Sequence, residues 1–149
     1  MTVHLIQSYV VALAGLAVGA AVGLIAAAAL KRMATWDAWV TVPLLLGAAG
    51  AHIALIPQVE MQREVLFGLY AASLIGTVIV GIGKVGIWRA GAVIFPAGSI
   101  AAYFYFAIPT HQADYVGLVV KVFELAAICS AIVGAFTRER AYGGRRVPA

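Results

Sequence analysis

Lys121 and Glu124 stand three residues apart inside an otherwise apolar stretch, Tyr115–Thr137, of this 149-residue chain. On a helix that spacing puts both side chains on one face. A charge held within a membrane is costly, and an intramembrane carboxylate by default suggests an ion site, a proton carrier or an anchor for a neighbouring subunit. A self-neutralising ion pair near the outer third of the stretch, with Lys121 reaching outward along its own methylene stem, accounts for the same two residues. Glu124 is the deeper of the two and the first candidate for a functional side chain.

A second group of residues gathers on one side of the chain's layout. The histidines are His4, His52 and His111, and Glu60, Met61, Glu64 and Asp114 map to the same side. Imidazole, carboxylate and thioether are plausible ligands for copper or zinc, and His52, His111 and Met61 are the metal candidates. No fixed ligand spacing links them, and a buried histidine satisfied by one hydrogen bond explains His52 as well. Haem is not expected, because only His52 lies within an apolar stretch and bis-histidine ligation needs two at matching depth. No other cofactor is implied. Tyr103, Phe104, Tyr105 and Phe106 read as an interfacial aromatic belt or as a quinone- or lipid-binding wall. The glycines around Gly81, Gly83 and Lys84 lack the ending and the preceding strand of a phosphate loop. There is no Ser/His/Asp arrangement and no HExxH, and Cys129 has no second cysteine to pair with.

These residues need elements to position them, and composition says of what kind. The chain is 64% hydrophobic and 11% charged, against about 25% charged in soluble domains. So small a chain has no core large enough to hide that apolar surface from water. The fold predicted is all-α: a single polytopic membrane domain of five transmembrane helices, with spans at about 5–30, 38–56, 65–83, 87–108 and 115–137, each near the 20 residues a bilayer requires. The first stretch has no basic leader and is too long for a signal-peptide core, so it reads as a retained span. The links between spans are short, which makes consecutive helices antiparallel neighbours. Pro57–Glu64 is read as one outer loop and 109–114 as the other.

Charge gives the orientation. Eight of the ten Lys/Arg, namely Lys31, Arg32, Lys84, Arg89, Arg138, Arg140, Arg145 and Arg146, fall at ends that share one side, Arg63 falls on the other and Lys121 lies inside a span. Positive residues remain cytoplasmic. The N-terminus is therefore expected outside and the C-terminus inside a plasma membrane, with 138–149 a loose basic cytoplasmic tail. The formal charge of +4 belongs to membrane-flanking anchors facing anionic lipid, not to a nucleic-acid surface. Trp36, Trp39 and Trp88 fall at the inner interface. Gly15, Gly19 and Gly23 form a doubled GxxxG register whose smooth face packs within the chain or docks a partner. Pro43 and Pro96 lie within spans as kink sites.

The segment His52-Ile-Ala-Leu-Ile-Pro57, with Gly68-Leu-Tyr70, Tyr103, Asp114-Tyr-Val-Gly117 and Glu124, resembles a group of small, mostly uncharacterised bacterial membrane proteins of actinobacterial type that carry an HxxLxP motif. The likeness runs from the second span onward. Val59 stands where that group has a second histidine, and Tyr70 where phenylalanine is usual. The resemblance implies a compact multi-span fold without an assigned reaction, and draws His52, Asp114 and Glu124 together as a set. Three functions compete. The first is a non-catalytic accessory or structural subunit of a larger membrane complex, respiratory or otherwise redox, with other membrane subunits or further copies of the chain as partners. The second is a small transporter or channel for protons, metal ions or a small solute, using Glu124 and the outward histidines. The third is a membrane enzyme or a copper- or zinc-handling membrane protein using His52, His111 and Asp114.

Overall fold

The computed structural model describes residues 2–29, 36–82, 87–107, 109 and 114–143, with side chains over 8–28, 38–82, 87–106, 109 and 114–136. All regular structure among them is helical: α1 (Thr2–Ala29), α2 (Trp36–Leu55) continued by a 3₁₀ turn (Ile56–Gln58), α3 (Met61–Ile82), α4 (Trp88–Ala107) and α5 (Tyr115–Gly143). Four segments are long and apolar enough to cross a membrane: Ser8–Ala28, Ala38–Gln58, Met61–Ile82 and Tyr115–Phe136. The remaining helix, α4, is 20 residues long. Trp88, Arg89, Ser99, Tyr103 and Tyr105 interrupt its apolar run.

Two boundaries differ from those expected. α3 begins at Met61, because the amides of Arg63 and Glu64 already bond the Glu60 carbonyl at 2.8 and 3.0 Å. Only Val59 and Glu60 stay outside helix between the 3₁₀ turn and α3, so the expected outer loop Pro57–Glu64 is mostly helical. A polar first turn is invisible to hydropathy but not to the backbone. α5 likewise runs past Thr137 to Gly143. Arg138–Tyr142 are helix-compatible residues, so the helix continues beyond the apolar stretch. The basic segment is therefore helical over 138–143 rather than loose.

Helices α2, α3, α4 and α5 close a ring in which each packs on the next and α5 returns to α2, while α1 lies outside against α2. Consecutive helices run antiparallel, as short links require. The α1–α2 contact is made backbone to backbone. A Cβ on Gly15 would strike the Gly50 carbonyl, one on Gly19 the Leu46 carbonyl and one on Gly23 the backbone of Pro43. The smooth glycine face thus lies on α2 and is not an open docking surface. This is the close approach by which small residues let apolar helices associate without a hydrophobic driving force. Within the ring, Leu45, Leu74, Ala92 and Ala127 are fully buried. Trp88, expected at an inner interface, is buried against Gly81, with the Arg89 guanidinium 4.9 Å from its ring centre. The outer surface is apolar all round, with Val18, Ile25, Leu66, Ile94, Val122 and Phe136 among the exposed side chains.

Candidate functional site

The ring of helices encloses a polar centre to which all four contribute. Glu124 of α5 is completely buried. Its position nine residues into the helix puts it about 14 Å from the end at Tyr115. Lys121, one turn earlier, donates to both carboxylate oxygens at 2.8 and 3.0 Å. The i,i+3 spacing read from the sequence therefore closes as an ion pair. Two further donors come from elsewhere in the fold. The Tyr70 hydroxyl of α3 donates to Oε1 at 2.8 Å, and the Ser99 hydroxyl of α4 donates to the same oxygen at 3.1 Å. Ser99 in turn accepts from the Lys121 ammonium. All three ammonium hydrogens are thereby engaged, two by Glu124 and one by Ser99.

Aromatic rings wall this centre. Lys121 Nζ sits 5.9 Å from the Tyr70 ring centre and 5.7 Å from that of Tyr103, within the reach of cation–π attraction. His52 of α2 packs edge-on against Tyr70, with centroids 4.6 Å apart, and against Phe67 at 5.1 Å. Its Nδ1 lies 2.8 Å from the Ala48 carbonyl. A carbonyl only accepts, so Nδ1 carries the hydrogen, and in the neutral ring Nε2 is left as an acceptor. His52 is therefore an inward-facing neighbour of Tyr70 and not part of an outer ligand set. A separate buried bond, Thr41 to Ser130 at 2.8 Å, ties α2 to α5 one to two turns beyond Glu124.

Among the described residues the rest of the expected outer cluster does not assemble. Asp114 caps α5: its Oδ1 accepts the Gly117 amide at 2.5 Å, the standard use of a short carboxylate ahead of a helix. Tyr103 completes this latch, donating to the Asp114 carbonyl and accepting from the Asp114 amide, both at 3.1 Å. Gly117 permits it, since a Cβ there would come within 2.6 Å of Tyr103 Cε2. Glu60 and Met61 are exposed at the start of α3 and Glu64 is half-buried there. Among the described residues no three His, Cys, Asp or Glu side chains come together as a metal ion would require. His111, and the side chain of His4, lie outside the described residues. Of the four aromatics ending α4, Phe104, Tyr105 and Phe106 are exposed, whereas Tyr103 is turned inward.

Tyr70 and Ser99 are the site residues that sequence reasoning missed. Tyr70 carried a weak signal as a phenol within an apolar helix, and Ser99 as a hydroxyl beside Gly98 and three residues after Pro96. Neither announces its partner, because both bonds join different helices. In chemical terms the arrangement is a fully hydrogen-bonded ion pair in the closed interior of the ring, with a polar line leading from Glu124 through Lys121 and Tyr103 to Asp114 at the end of α5. No protein-family model, curated protein or solved structure matches the chain, so its function is argued from this geometry alone.

Proposed function

We propose that the chain is a five-span protein of the plasma membrane, N-terminus outside and C-terminus in the cytoplasm, acting as a non-catalytic subunit of a larger membrane assembly. The observation that carries this reading is the closure of the interior. The ammonium, the carboxylate and the hydroxyls at its centre are satisfied by one another, so among the described residues the centre presents no reactive group to a substrate. What the molecule offers outward is apolar helix surface. α4 serves as the fifth span: its 20 residues extend about 30 Å, the thickness of a hydrocarbon core. Its Ser99 has to lie at the depth of Glu124, and its exposed Phe104, Tyr105 and Phe106 suit the outer interface. Among the described residues no three ligands converge as copper or zinc handling would require.

Mild detergent extraction followed by native mass measurement tests the subunit reading. A partner at fixed stoichiometry is expected, and a clean monomer overturns it. Orientation is tested by single cysteines in a Cys129→Ala background. Glu60→Cys should react with an impermeant maleimide on intact cells, and Val147→Cys only after permeabilisation. The reverse pattern overturns the orientation.

The line Glu124–Lys121–Tyr103–Asp114 favours a second reading, the movement of protons or a small cation. Glu124→Gln in a reconstituted flux assay decides it, and unchanged flux removes it.

A further inference from the structure

The surroundings of the Lys121 ammonium form a receptor in their own right. Three acceptors converge on Nζ: both Glu124 oxygens, at 3.0 and 2.8 Å, and the Ser99 hydroxyl. Three is also the number of hydrogens that a primary ammonium carries. The Tyr70 and Tyr103 ring centres flank the same nitrogen at 5.9 and 5.7 Å, close enough for attraction between cation and ring. Tyr70 and Ser99 also donate to Glu124 Oε1, which holds the carboxylate without help from the lysine. Tyr70, Ser99 and Tyr103 stand on helices other than the lysine's own, so the fold and not helical periodicity assembles this cage.

We propose that Glu124, Ser99, Tyr70 and Tyr103 constitute a binding site for a small ammonium ion with three or more N–H groups, and that Lys121 is its tethered occupant, which the free ion displaces. The donor count selects the ligand class. A quaternary ammonium has no N–H for the three acceptors, and a guanidinium spreads its donors in a plane. Calcium and magnesium take about six or more oxygens, whereas much of this wall is aromatic ring. Lys121 keeps 8% of its surface exposed and Glu124 none, so the lysine stands between the carboxylate and the outside. It lies six residues, about 9 Å, from the start of α5 at Tyr115. Its stem can carry the displaced ammonium to interfacial water at that end. Exchange leaves Glu124 facing a cation throughout, which avoids the cost of a lone buried carboxylate. The site names the ion for the cation-moving reading above, and only its role in transport rests on that reading.

Lys121→Ala in the full-length chain deletes Cγ, Cδ, Cε and Nζ, the heavy atoms of propylammonium. The unfolding midpoint of this variant is measured in mixed micelles at neutral pH. Propylammonium, methylammonium, tetramethylammonium and sodium chlorides and 1-propanol are compared at equal concentration. The first two should raise the midpoint progressively with concentration, as a ligand of the folded state does. 1-Propanol and tetramethylammonium should do no more than sodium, and Lys121→Ala/Glu124→Gln should not respond at all. Should Lys121→Ala be recovered unfolded, folding on addition of propylammonium is the same readout. The native chain should bind radiolabelled methylammonium saturably but at least about tenfold more weakly than Lys121→Ala, because the tethered amine competes at high effective concentration. No response of Lys121→Ala to either ammonium overturns the proposal. So does an equal response to 1-propanol or tetramethylammonium, a response that survives Glu124→Gln, or the lack of saturable binding to the native chain. Saturable binding without flux upholds the site and removes only the transport reading.

Discussion

Replacing Lys121 by methionine tests whether the buried pair is a unit. The substitution keeps the length and apolar stem of the side chain but removes the charge that Glu124 faces at 2.8 and 3.0 Å. Glu124 has no exposed surface, so water cannot replace the lost donors, and only Tyr70 and Ser99 remain. Breaking one side of a buried ion pair costs about 3–5 kcal/mol, whereas replacing both partners by neutral groups of similar shape is close to neutral. Lys121→Met should therefore destabilise by about 3–5 kcal/mol. The double variant Lys121→Met/Glu124→Gln should recover at least ~2 kcal/mol of that, a coupling of the size that contacting residues show. The assay is reversible unfolding in mixed micelles followed by tryptophan fluorescence, arranged as a double-mutant cycle. A single-variant loss under ~1 kcal/mol would mean that water reaches Glu124 and the centre is not dry. A double variant as poor as the sum of its singles would mean that the two residues do not act as a pair. Either result refutes the reasoning.

Tyr70→Phe removes one neutral donor and should cost about 0.6 kcal/mol and at most roughly 1.7, well below Lys121→Met in the same assay. Gly19→Leu should detach α1 from α2, since even a Cβ there meets the Leu46 carbonyl, read as a lowered unfolding midpoint in the same assay. Gly76→Ala and Gly98→Ala, which meet nothing within 4 Å, should be neutral or stabilise by up to ~1 kcal/mol. Asp114→Ala should cost about 1 kcal/mol through loss of the α5 cap, visible as faster amide exchange at Gly117. Gly117→Ala, which forces the Tyr103 ring aside, should free the Tyr103 hydroxyl, measurable as a shifted phenol band.

Much of this architecture was legible in the chain because bilayer thickness and hydrogen-bond closure leave few choices. Long apolar runs separated by short polar links read as antiparallel helices, and the helices fall where expected apart from the start of α3 and the close of α5. Lys121 and Glu124 could be paired because helical periodicity alone brings them together. The centre built around them could not, because Tyr70 and Ser99 come from two other helices and a hydroxyl in an apolar helix is equally at ease bonding its own backbone, as Ser73 does to Leu69. His52 was grouped with outer ligands by its place near the end of α2. The face it occupies, set by its contacts with Ala48 and Tyr70, depends on how α2 is rotated against α3. Asp114 had a readable cap signal, a short carboxylate just ahead of an apolar run, yet the same residue type also suits a metal ligand. Only the bond to Gly117 decides between them.

The charged pair belongs to a helix that follows α3 and α4 in the chain, and this bears on how the protein is made. When α5 leaves the ribosome, α3 with Tyr70 and α4 with Ser99 have already been synthesised. Lys121 and Glu124 then enter the bilayer one turn apart on the same segment, as an internally neutral couple rather than as two separate charges, each of which would oppose insertion by about 3 kcal/mol at the centre of a span. The hydroxyls waiting on α3 and α4 receive the couple on arrival. A nascent chain cut short of Lys121 leaves those hydroxyls without their acceptor, so the arrival of α5 is the event that seals the ring.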